Sequence, residues 1–343
     1  MSRPHLTRPP LKILLDSGAF TVWRSGGYID LWEYVDFVTD NELALNSYIN
    51  LDVMPGALGR VPTPTELEES ARAGYENLLI MESAGLHCMP VYHAGEDLRW
   101  LDKYISKGYT YIGISPSSIR SSRGRVAFLD RVYDHIANSA GQPVVATHLL
   151  GLTSLPLMYR YPWKTCDSTS WMLIGAFGNI LLPKMNDGVP DYSVSPNMVA
   201  MSEKSGSIKG GKHFLNMKGH EKKAIVDFIE SNGFTVTGME THYRDRMKLI
   251  TRVLLNVQAT LRKKNMTFQK QGFIHTSSYR NEPGFVIKDR SIIFAFPAQD
   301  SFNSILNGEG VVNRLVSYEF LKQRNLSELH TYKKTWEFLP TGV

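Results

Sequence analysis

Six short apolar runs in the first half of the chain each end in a polar residue that can take part in chemistry. These residues are Asp16, Asp52, His93, Ser115, His148 and Asp167. One polar residue after an apolar run is usually a turn former or a helix cap, but three carboxylates and two histidines together predict a titratable pocket. Carboxylates in one pocket suit reactions at an anomeric carbon, where one attacks the sugar and a second passes a proton to the leaving group. Crowding also separates their pKa values, so one stays ionised while another carries a proton.

The apolar runs alternate with amphipathic stretches, which predicts the elements that position these residues. The expected strands are Lys12–Asp16, Tyr48–Asp52, Met89–His93, Tyr109–Ser115, Pro143–His148 and Lys164–Asp167. Helices are expected between them, one of which begins after Thr63, with Pro64 in its first turn and Glu66 completing a capping box. This alternation predicts an α/β fold, and more specifically a (β/α)8 TIM-like barrel, in which catalytic groups lie at the C-terminal ends of the strands.

The second half of the chain has a weaker pattern and a basic character. The expected elements are a strand at Gly175–Pro183, a long loop or insertion at Met185–Gly211, and helices at Glu221–Ser231, Arg244–Lys264 and Val311–Arg324. We expect one domain over residues 1–343, in which 185–270 form a basic insertion or C-terminal extension. Met201–Lys270 carries 14 Lys/Arg and 6 Asp/Glu, a local balance of +8 in a chain of net charge +5. Such a segment indicates either a polyanionic partner such as nucleic acid or a solvated helical face.

Five short motifs resemble, in order and spacing, those of the tRNA-guanine transglycosylases. Asp16-Ser17-Gly18-Ala19-Phe20 is similar to the family's Asp-Ser-Gly-Gly-Phe, and the segment around Asp167 lies where the family has Phe-Asp-Cys-Val-x-Pro-Thr. The others are Leu51-Asp52, Val91-Tyr92-His93-Ala94-Gly95 and Tyr111-Ile112-Gly113-Ile114. The segment His148–Pro156 and its continuation to Trp163 and Trp171 resemble the phage branch of the superfamily. Members of that branch place 7-deazaguanine derivatives into viral DNA.

The resemblance implies a base exchange through a covalent glycosyl-aspartate. In that reaction Asp167 is the nucleophile, and Asp16 transfers protons to and from the exchanged base. A guanine is flipped out of the stack, and a free 7-deazaguanine base is the co-substrate. Trp163 and Trp171 are either stacking partners of the flipped base or core residues. The residues implied in base binding are Asp52, His93, Gly95, Gly113, Ile114 and His148.

The expected nucleic-acid partner is DNA, with tRNA as the alternative. Phosphate contacts set affinity rather than base choice, and the lysine-rich insertion offers no evident reader of a 2′-hydroxyl. The expected phosphate-binding residues are Arg120, Arg123, Lys204, Lys209, Lys212, Lys222 and Lys223.

The chain differs from the family at the zinc site and at a residue implied in base binding. Cellular members carry a Cys-x-Cys-x-x-Cys…His zinc site after the nucleophile, whereas no cysteine follows Cys166 here, so no metal is expected. His93 stands in the place of a glutamine, which changes the hydrogen bonds offered to the base. No P-loop, His-Glu-x-x-His or dinucleotide fingerprint occurs, and no cofactor is expected.

Two interpretations from other classes stay open. One is a retaining glycoside hydrolase, which also uses two carboxylates, and the other is a catalytically inactive nucleic-acid-binding barrel. The first ten residues lack the apolar run of a secretory signal, and no stretch approaches the roughly 20 apolar residues of a membrane helix. We therefore expect a cytoplasmic protein (in the host cytoplasm if it is phage-encoded) with no membrane partner. The sequence leaves the oligomeric state open.

Overall fold

The computed structural model describes residues 12–152, 154–206, 208, 211–264, 266–269, 278–295, 313–318 and 322. The strands in these ranges are β1 (Lys12–Asp16), β2 (Ser47–Tyr48), β3 (Val91–His93), β4 (Tyr111–Ser115), β5 (Ala146–Leu149), β6 (Thr165–Ser168), β7 (Asn179–Leu182), β8 (Lys184–Asn186), β9 (Val189–Asp191), β10 (Asn197–Ala200), β11 (Ser291–Ala295) and β12 (Asn313–Ser317). The helices are α1 (Ala19–Ser25), α2 (Leu31–Asn41), α3 (Pro64–Ser83), α4 (Leu98–Ser106), α5 (Ser122–Ile136), α6 (Leu155–Arg160), α7 (Ser170–Ala176), α8 (Gly219–Ser231), α9 (Val236–Thr241) and α10 (Tyr243–Arg262).

The chain divides into two compact units. The first contains Met1–Arg120, Ile293–Ala298 and Val312–Val343, and the second contains Ser121–Ile292 and Gln299–Val311. The division passes through β11, whose first two residues belong to the second unit and whose last three belong to the first.

Parallel pairing organises the strands of the first unit. β1 pairs with β2 on one side and with β12 on the other, and the end of β11 pairs with β12. β3 pairs with β4, and a parallel bridge between Ile49 and Met89 joins the chain just after β2 to the chain just before β3. The buried side chains of Leu15, Ile49 and Ile112 show why these segments form strands, since short apolar runs are expected when both faces of a parallel sheet are covered.

The helices of the first unit begin at the caps that the sequence indicates. Thr63 and Glu66 form the expected capping box at the start of α3, and Pro64 lies in its first turn. Asp30 starts α2 by accepting hydrogen bonds from the backbone N–H groups of Trp32 and Glu33. Local side-chain chemistry therefore decides where each of these helices begins.

The second unit combines a parallel strand pair with two antiparallel pairs. β5 and β6 are parallel, with His148 opposite Thr165, and the backbone N–H of Ser291 at the start of β11 donates to the carbonyl of Lys164 just before β6. β7 pairs antiparallel with β10, and β8 with β9.

Helix α10 is the largest helical contribution to the core of the second unit, and it packs against α7 and β7. The contact with α7 requires Gly175, because a Cβ there would lie only 2.8 Å from Met247 Cγ. The buried Arg246 strengthens the contact, since its Nε donates to the Gly175 carbonyl at 2.8 Å and its Nη1 to the Met239 carbonyl at 2.6 Å.

The α/β class expected from the sequence is confirmed, because parallel strands alternate with helices. Each of the six expected strands overlaps an observed one, and the observed strands are compatible with a TIM-like arrangement. The expected strand at Gly175–Pro183 begins only at Asn179, because Gly175 belongs to α7.

Two expectations for the second half are wrong. The helix expected at Val311–Arg324 is a strand over Asn313–Ser317, because this segment pairs with β1 on one side and β11 on the other; most of the remaining residues lie outside the described ranges. The long loop expected at Met185–Gly211 contains β9 and β10. Pairing with other strands determines the conformation of both segments, and the local residue pattern does not indicate that pairing.

Candidate active site

In the first unit, the end of β1 is connected by hydrogen bonds to the segment that follows β2. Asp16 is the last residue of β1, and the next residue, Ser17, is almost completely buried. Its hydroxyl donates to Asp52 Oδ1 at 2.8 Å and accepts the backbone N–H of Ala19 at 3.2 Å. Asp52 is therefore linked to the segment that carries Asp16.

Asp52 also contacts His93, the last residue of β3. Asp52 Oδ2 lies 3.0 Å from His93 Nε2, and His93 is only 3% exposed. The two atoms are within ion-pair distance, although the N–H direction departs from the line of a good hydrogen bond. Two amide side chains hold the Asp52 segment against the rest of the unit: Asn50 donates to the Gly74 carbonyl, and Asn77 donates to the Leu51 carbonyl.

A third titratable group, Glu96, completes this cluster, and the sequence interpretation missed it. Glu96 Oε2 accepts the backbone N–H of His93 at 3.0 Å, and the Tyr92 hydroxyl donates to the Glu96 carbonyl at 2.6 Å. Gly95 makes the turn possible, with φ of 101°, and a Cβ there would lie 2.9 Å from Leu67 Cδ2. Glu96 is 2% exposed and comes three residues after a strand end, so a search restricted to strand ends could not find it.

The charges of this cluster influence one another. Burial alone lowers the pKa of His93, but the close contact with the Asp52 carboxylate and the negative charges of Glu96 and Asp52 outweigh burial and raise the pKa above its usual value. Burial raises the pKa of Glu96 to about 7, although the nearby His93 favours its ionised form. The imidazole of His93, which contacts Asp52 and feels the charge of Glu96, is therefore held toward its charged form, and Glu96 can carry a proton near neutral pH.

Strand β4 supplies backbone rather than reactive side chains. The backbone N–H of Gly113 donates to the Pro90 carbonyl at 2.8 Å, and Ile114 is completely buried. The Ser115 hydroxyl lies 2.8 Å from that of Ser117, and the Ser115 carbonyl accepts the backbone N–H of Ala94. The sequence-predicted residues Gly113 and Ile114 are thus part of the sheet beside β3.

In the second unit, Asp167 lies on β6 and is 6% exposed. Its Oδ1 accepts the backbone N–H of Gly151 at 2.7 Å and lies 3.3 Å from His148 Nε2. The other ring nitrogen of His148, Nδ1, lies 2.6 Å from Thr165 Oγ1, and the histidine is completely buried. His148, which the resemblance implies in base binding, is thus held against the expected nucleophile.

The residues around Asp167 are packed as core. Trp163 and Trp171 are almost completely buried, and Trp163 Nε1 donates to the Met158 carbonyl at 2.8 Å. Stacking on a flipped base needs an accessible ring face. The burial of both rings therefore favours the interpretation of Trp163 and Trp171 as core residues. Cys88 and Cys166 are both buried free thiols, and burial raises the pKa of Cys166 well above its usual value.

The predicted phosphate-binding residues differ in their surroundings. Arg120 in the first unit and Arg123, Lys204 and Lys212 in the second are exposed. The other two described lysines are engaged locally: Lys222 Nζ donates to the Leu215 carbonyl at 2.8 Å, and Lys223 Nζ pairs with Asp227 Oδ2 at 2.7 Å. Lys209 lies outside the described residues.

The second unit also has a basic pocket that the sequence interpretation did not single out. Arg262 is oriented in it by neutral partners, since its Nε donates to the Arg290 carbonyl and its Nη2 donates to Ser291 Oγ. The guanidinium charge is therefore positioned without being neutralised by these contacts. The described residues that line the pocket are four basic and two apolar ones, namely Arg262, Lys263, Lys264, Lys288, Val286 and Ile287.

His213, which lies within the expected insertion, is held by contacts with neighbouring backbone groups. His213 is completely buried, its Nδ1 accepts the backbone N–H of Leu215 at 3.3 Å, and its Nε2 lies 3.1 Å from the Ser202 carbonyl. Across the ranges that the structure describes, no group of three or more His, Cys, Asp or Glu side chains is arranged to hold a metal ion. In the same ranges, no helix is long and apolar enough to cross a membrane.

Comparison with known proteins finds no matching family model, curated protein or solved structure. The first unit holds an Asp52–His93–Glu96 cluster, with Asp16 at the end of the neighbouring strand β1. The second unit holds a buried Asp167–His148 pair.

Proposed function

We propose that the chain is a transglycosylase on a (β/α)8 barrel, which exchanges guanine in DNA for a 7-deazaguanine derivative through a glycosyl-aspartate intermediate. Asp167 attacks C1′ of the nucleotide, the bond from C1′ to the base breaks, and the electron pair leaves with guanine, which is protonated through Asp16. The incoming base gives a proton to Asp16 and attacks C1′, and the bond to Asp167 breaks. Each half of the reaction therefore uses one nucleophile and one proton carrier.

The observation that carries this proposal is the environment of Asp167. A carboxylate nucleophile must be ionised and fixed in direction, and Oδ1 of Asp167 receives the Gly151 N–H at 2.7 Å and lies 3.3 Å from His148 Nε2. The hydrogen bond from this backbone N–H fixes the direction of the carboxylate. With Oδ1 held in this way, Oδ2 is the oxygen that attacks the sugar.

The first-unit cluster supports the recognition part of the proposal. Asp52 accepts the Ser17 hydroxyl through Oδ1 and contacts His93 through Oδ2, so its orientation is fixed before a base arrives. An oriented carboxylate accepts hydrogen bonds from N–H groups such as those of a guanine edge. His93 beside it provides a second hydrogen-bonding group.

The basic residues of the second unit support a nucleic-acid partner. Met201–Lys270 carries a balance of +8, and the basic pocket adds Lys288 from outside that range. Phosphodiester backbones are bound through lysine and arginine cations, and binding weakens steeply with salt.

Incubation of the chain with duplex DNA, labelled guanine and candidate 7-deazaguanines, followed by nucleoside mass spectrometry, tests the proposal. The expected result is incorporation of the modified base into DNA with release of one guanine per insertion. Labelling of tRNA and not of DNA would instead support tRNA-guanine exchange. Hydrolysis of simple glycosides without base exchange would support a glycoside hydrolase, and binding of DNA without either reaction would support an inactive binding barrel.

A further inference from the structure

Glu96 is a buried carboxylate to which the reaction above assigns no role. Its carboxylate bonds to the backbone N–H of His93, and its side chain is 2% exposed. Carboxylates at the surface commonly cap loops. Burying one beside a histidine and a second carboxylate costs free energy unless charges of opposite sign compensate. The arrangement indicates a charge-bearing role as well as a structural one.

The titratable groups that face Glu96 come from each neighbouring element. His93 is on β3, Asp52 follows β2, Glu68 is on α3 and Tyr104 is on α4. Of these, only His93 can carry a positive charge. Glu68 is turned toward other partners, since it accepts the Trp100 indole N–H at 3.1 Å and pairs with Arg99. The effect of the Glu96 charge is therefore directed mainly at His93.

We propose that Glu96 is a positioning residue that holds the His93 imidazole in its doubly protonated form, so that His93 offers the base only hydrogen-bond donors. His93 Nε2 lies 3.0 Å from Asp52 Oδ2, so a proton on this nitrogen faces a carboxylate oxygen. A neutral ring would leave Nδ1 as an acceptor, whereas the imidazolium makes Nδ1 a donor. The pair then presents one acceptor, Asp52, and one donor, His93, which selects a base edge that has an N–H group beside a carbonyl oxygen. This selectivity rests on the proposed function, but the effect of Glu96 on His93 does not.

The sign of the pH effect follows from the same arrangement. As the pH rises through about 7, Glu96 loses its proton and the cluster gains a negative charge. That charge stabilises the imidazolium, so His93 stays protonated to a higher pH than it would without Glu96. Removing the charge while keeping the shape should let His93 lose its proton earlier.

Glu96→Gln makes this change, because the amide oxygen can still accept the His93 backbone N–H. Histidine-labelled protein is titrated by NMR, and the His93 signal is assigned with His93→Gln. We expect Glu96→Gln to lower the pKa of His93 by about one unit. Glu69→Gln, which removes the same charge from an exposed position on α3, should leave it unchanged. A His93 pKa that is the same in Glu96→Gln as in the unaltered chain would overturn the proposal.

A measurement on the unaltered chain covers the case in which Glu96→Gln does not fold. Carbon-labelled glutamate should show one carboxyl group that titrates near pH 7, and the His93 signal should respond in the same pH range. A His93 signal that does not respond while any glutamate carboxyl group titrates would contradict the proposal without any variant.

Binding of free guanine, measured by calorimetry at pH 6 and pH 8, separates this proposal from the proposed function. The affinity of Glu96→Gln should fall more than that of the unaltered chain across this interval, by about tenfold if one charged hydrogen bond is lost. A chain that binds no guanine but still shows the His93 shift would refute base exchange and keep the role of Glu96. Guanine binding with the same pH dependence in both proteins would refute only the role of Glu96 in base selection.

Discussion

Replacement of Asp167 by asparagine is the most direct test of the proposed nucleophile. The carboxylate has 6% exposure, and its Oδ1 receives the Gly151 N–H and lies 3.3 Å from His148 Nε2. The asparagine oxygen can replace Oδ1 as the acceptor from Gly151, so the change keeps the shape of the site. It removes the negative charge and the second oxygen, which the covalent step needs.

The expected effects on rate and on stability differ greatly in size. Loss of a covalent nucleophile should reduce the exchange rate by about 10⁴-fold or more, which corresponds to roughly 5.5 kcal/mol in the activation free energy. Weakening one charge-assisted hydrogen bond should cost about 1 kcal/mol of folding free energy, which would lower the melting temperature by only about 2–4 °C. The variant should therefore be folded and inactive.

Exchange of labelled guanine in duplex DNA, measured beside thermal unfolding, checks both effects. Asp187→Asn is a matched control, since Asp187 is exposed in a turn of the same unit with φ of 49°, a conformation that asparagine readily adopts. Mass spectrometry of the denatured protein should detect the glycosyl adduct on the unaltered chain and not on Asp167→Asn. Exchange by Asp167→Asn within about tenfold of the unaltered chain would refute the assignment.

Four further predictions concern the other groups. Asp16→Ala should abolish turnover, whereas Asp16→Asn should still bind free guanine by calorimetry; ordinary exchange kinetics in Asp16→Ala would remove this residue from the mechanism. His148→Gln should lower kcat about 10²-fold with little change in KM for the base, because His148 lies against Asp167; an effect on KM alone would support base binding instead. Elemental analysis should detect no structural zinc, and one tightly held zinc per chain would contradict this. DNA should compete better than tRNA for the protein at one salt concentration, and exclusive labelling of tRNA would favour tRNA-guanine exchange instead. The double variant Lys263→Gln and Lys288→Gln should reduce the slope of log affinity against log salt concentration by about 0.9 per lost phosphate contact.

Local chemistry explains which elements the sequence predicts well. The capping box of Thr63 and Glu66 acts within one helical turn, and the apolar run at Lys12–Asp16 is buried as a strand. Such features form without a distant partner, so a short stretch of sequence contains all the residues that determine them. The strand-end positions of Asp16 and His93 follow from the same local pattern, and Asp167 lies one residue before the end of β6.

Only the tertiary structure decides the segments whose conformation depends on distant partners. Asn313–Ser317 is a strand because it pairs with β11 and with β1, in which Lys12 lies opposite Asn313 at the far end of the sequence. The sequence interpretation expected a helix at Val311–Arg324, and short apolar runs fit both the helix and the strand period. Pairing energy from distant strands outweighs such a weak local preference.

The same distinction applies to the candidate site. The sequence by itself indicates that Asp52, His93 and Asp167 end apolar runs and carry groups suited to chemistry at a sugar carbon. Folding determines which of these side chains are buried and which are in contact. It places Asp52 against His93 and His148 against Asp167, and it brings the Glu96 carboxylate to the backbone N–H of His93. The charge of a side chain depends on its distance from other charges and from water, and neither quantity is encoded in spacing along the chain.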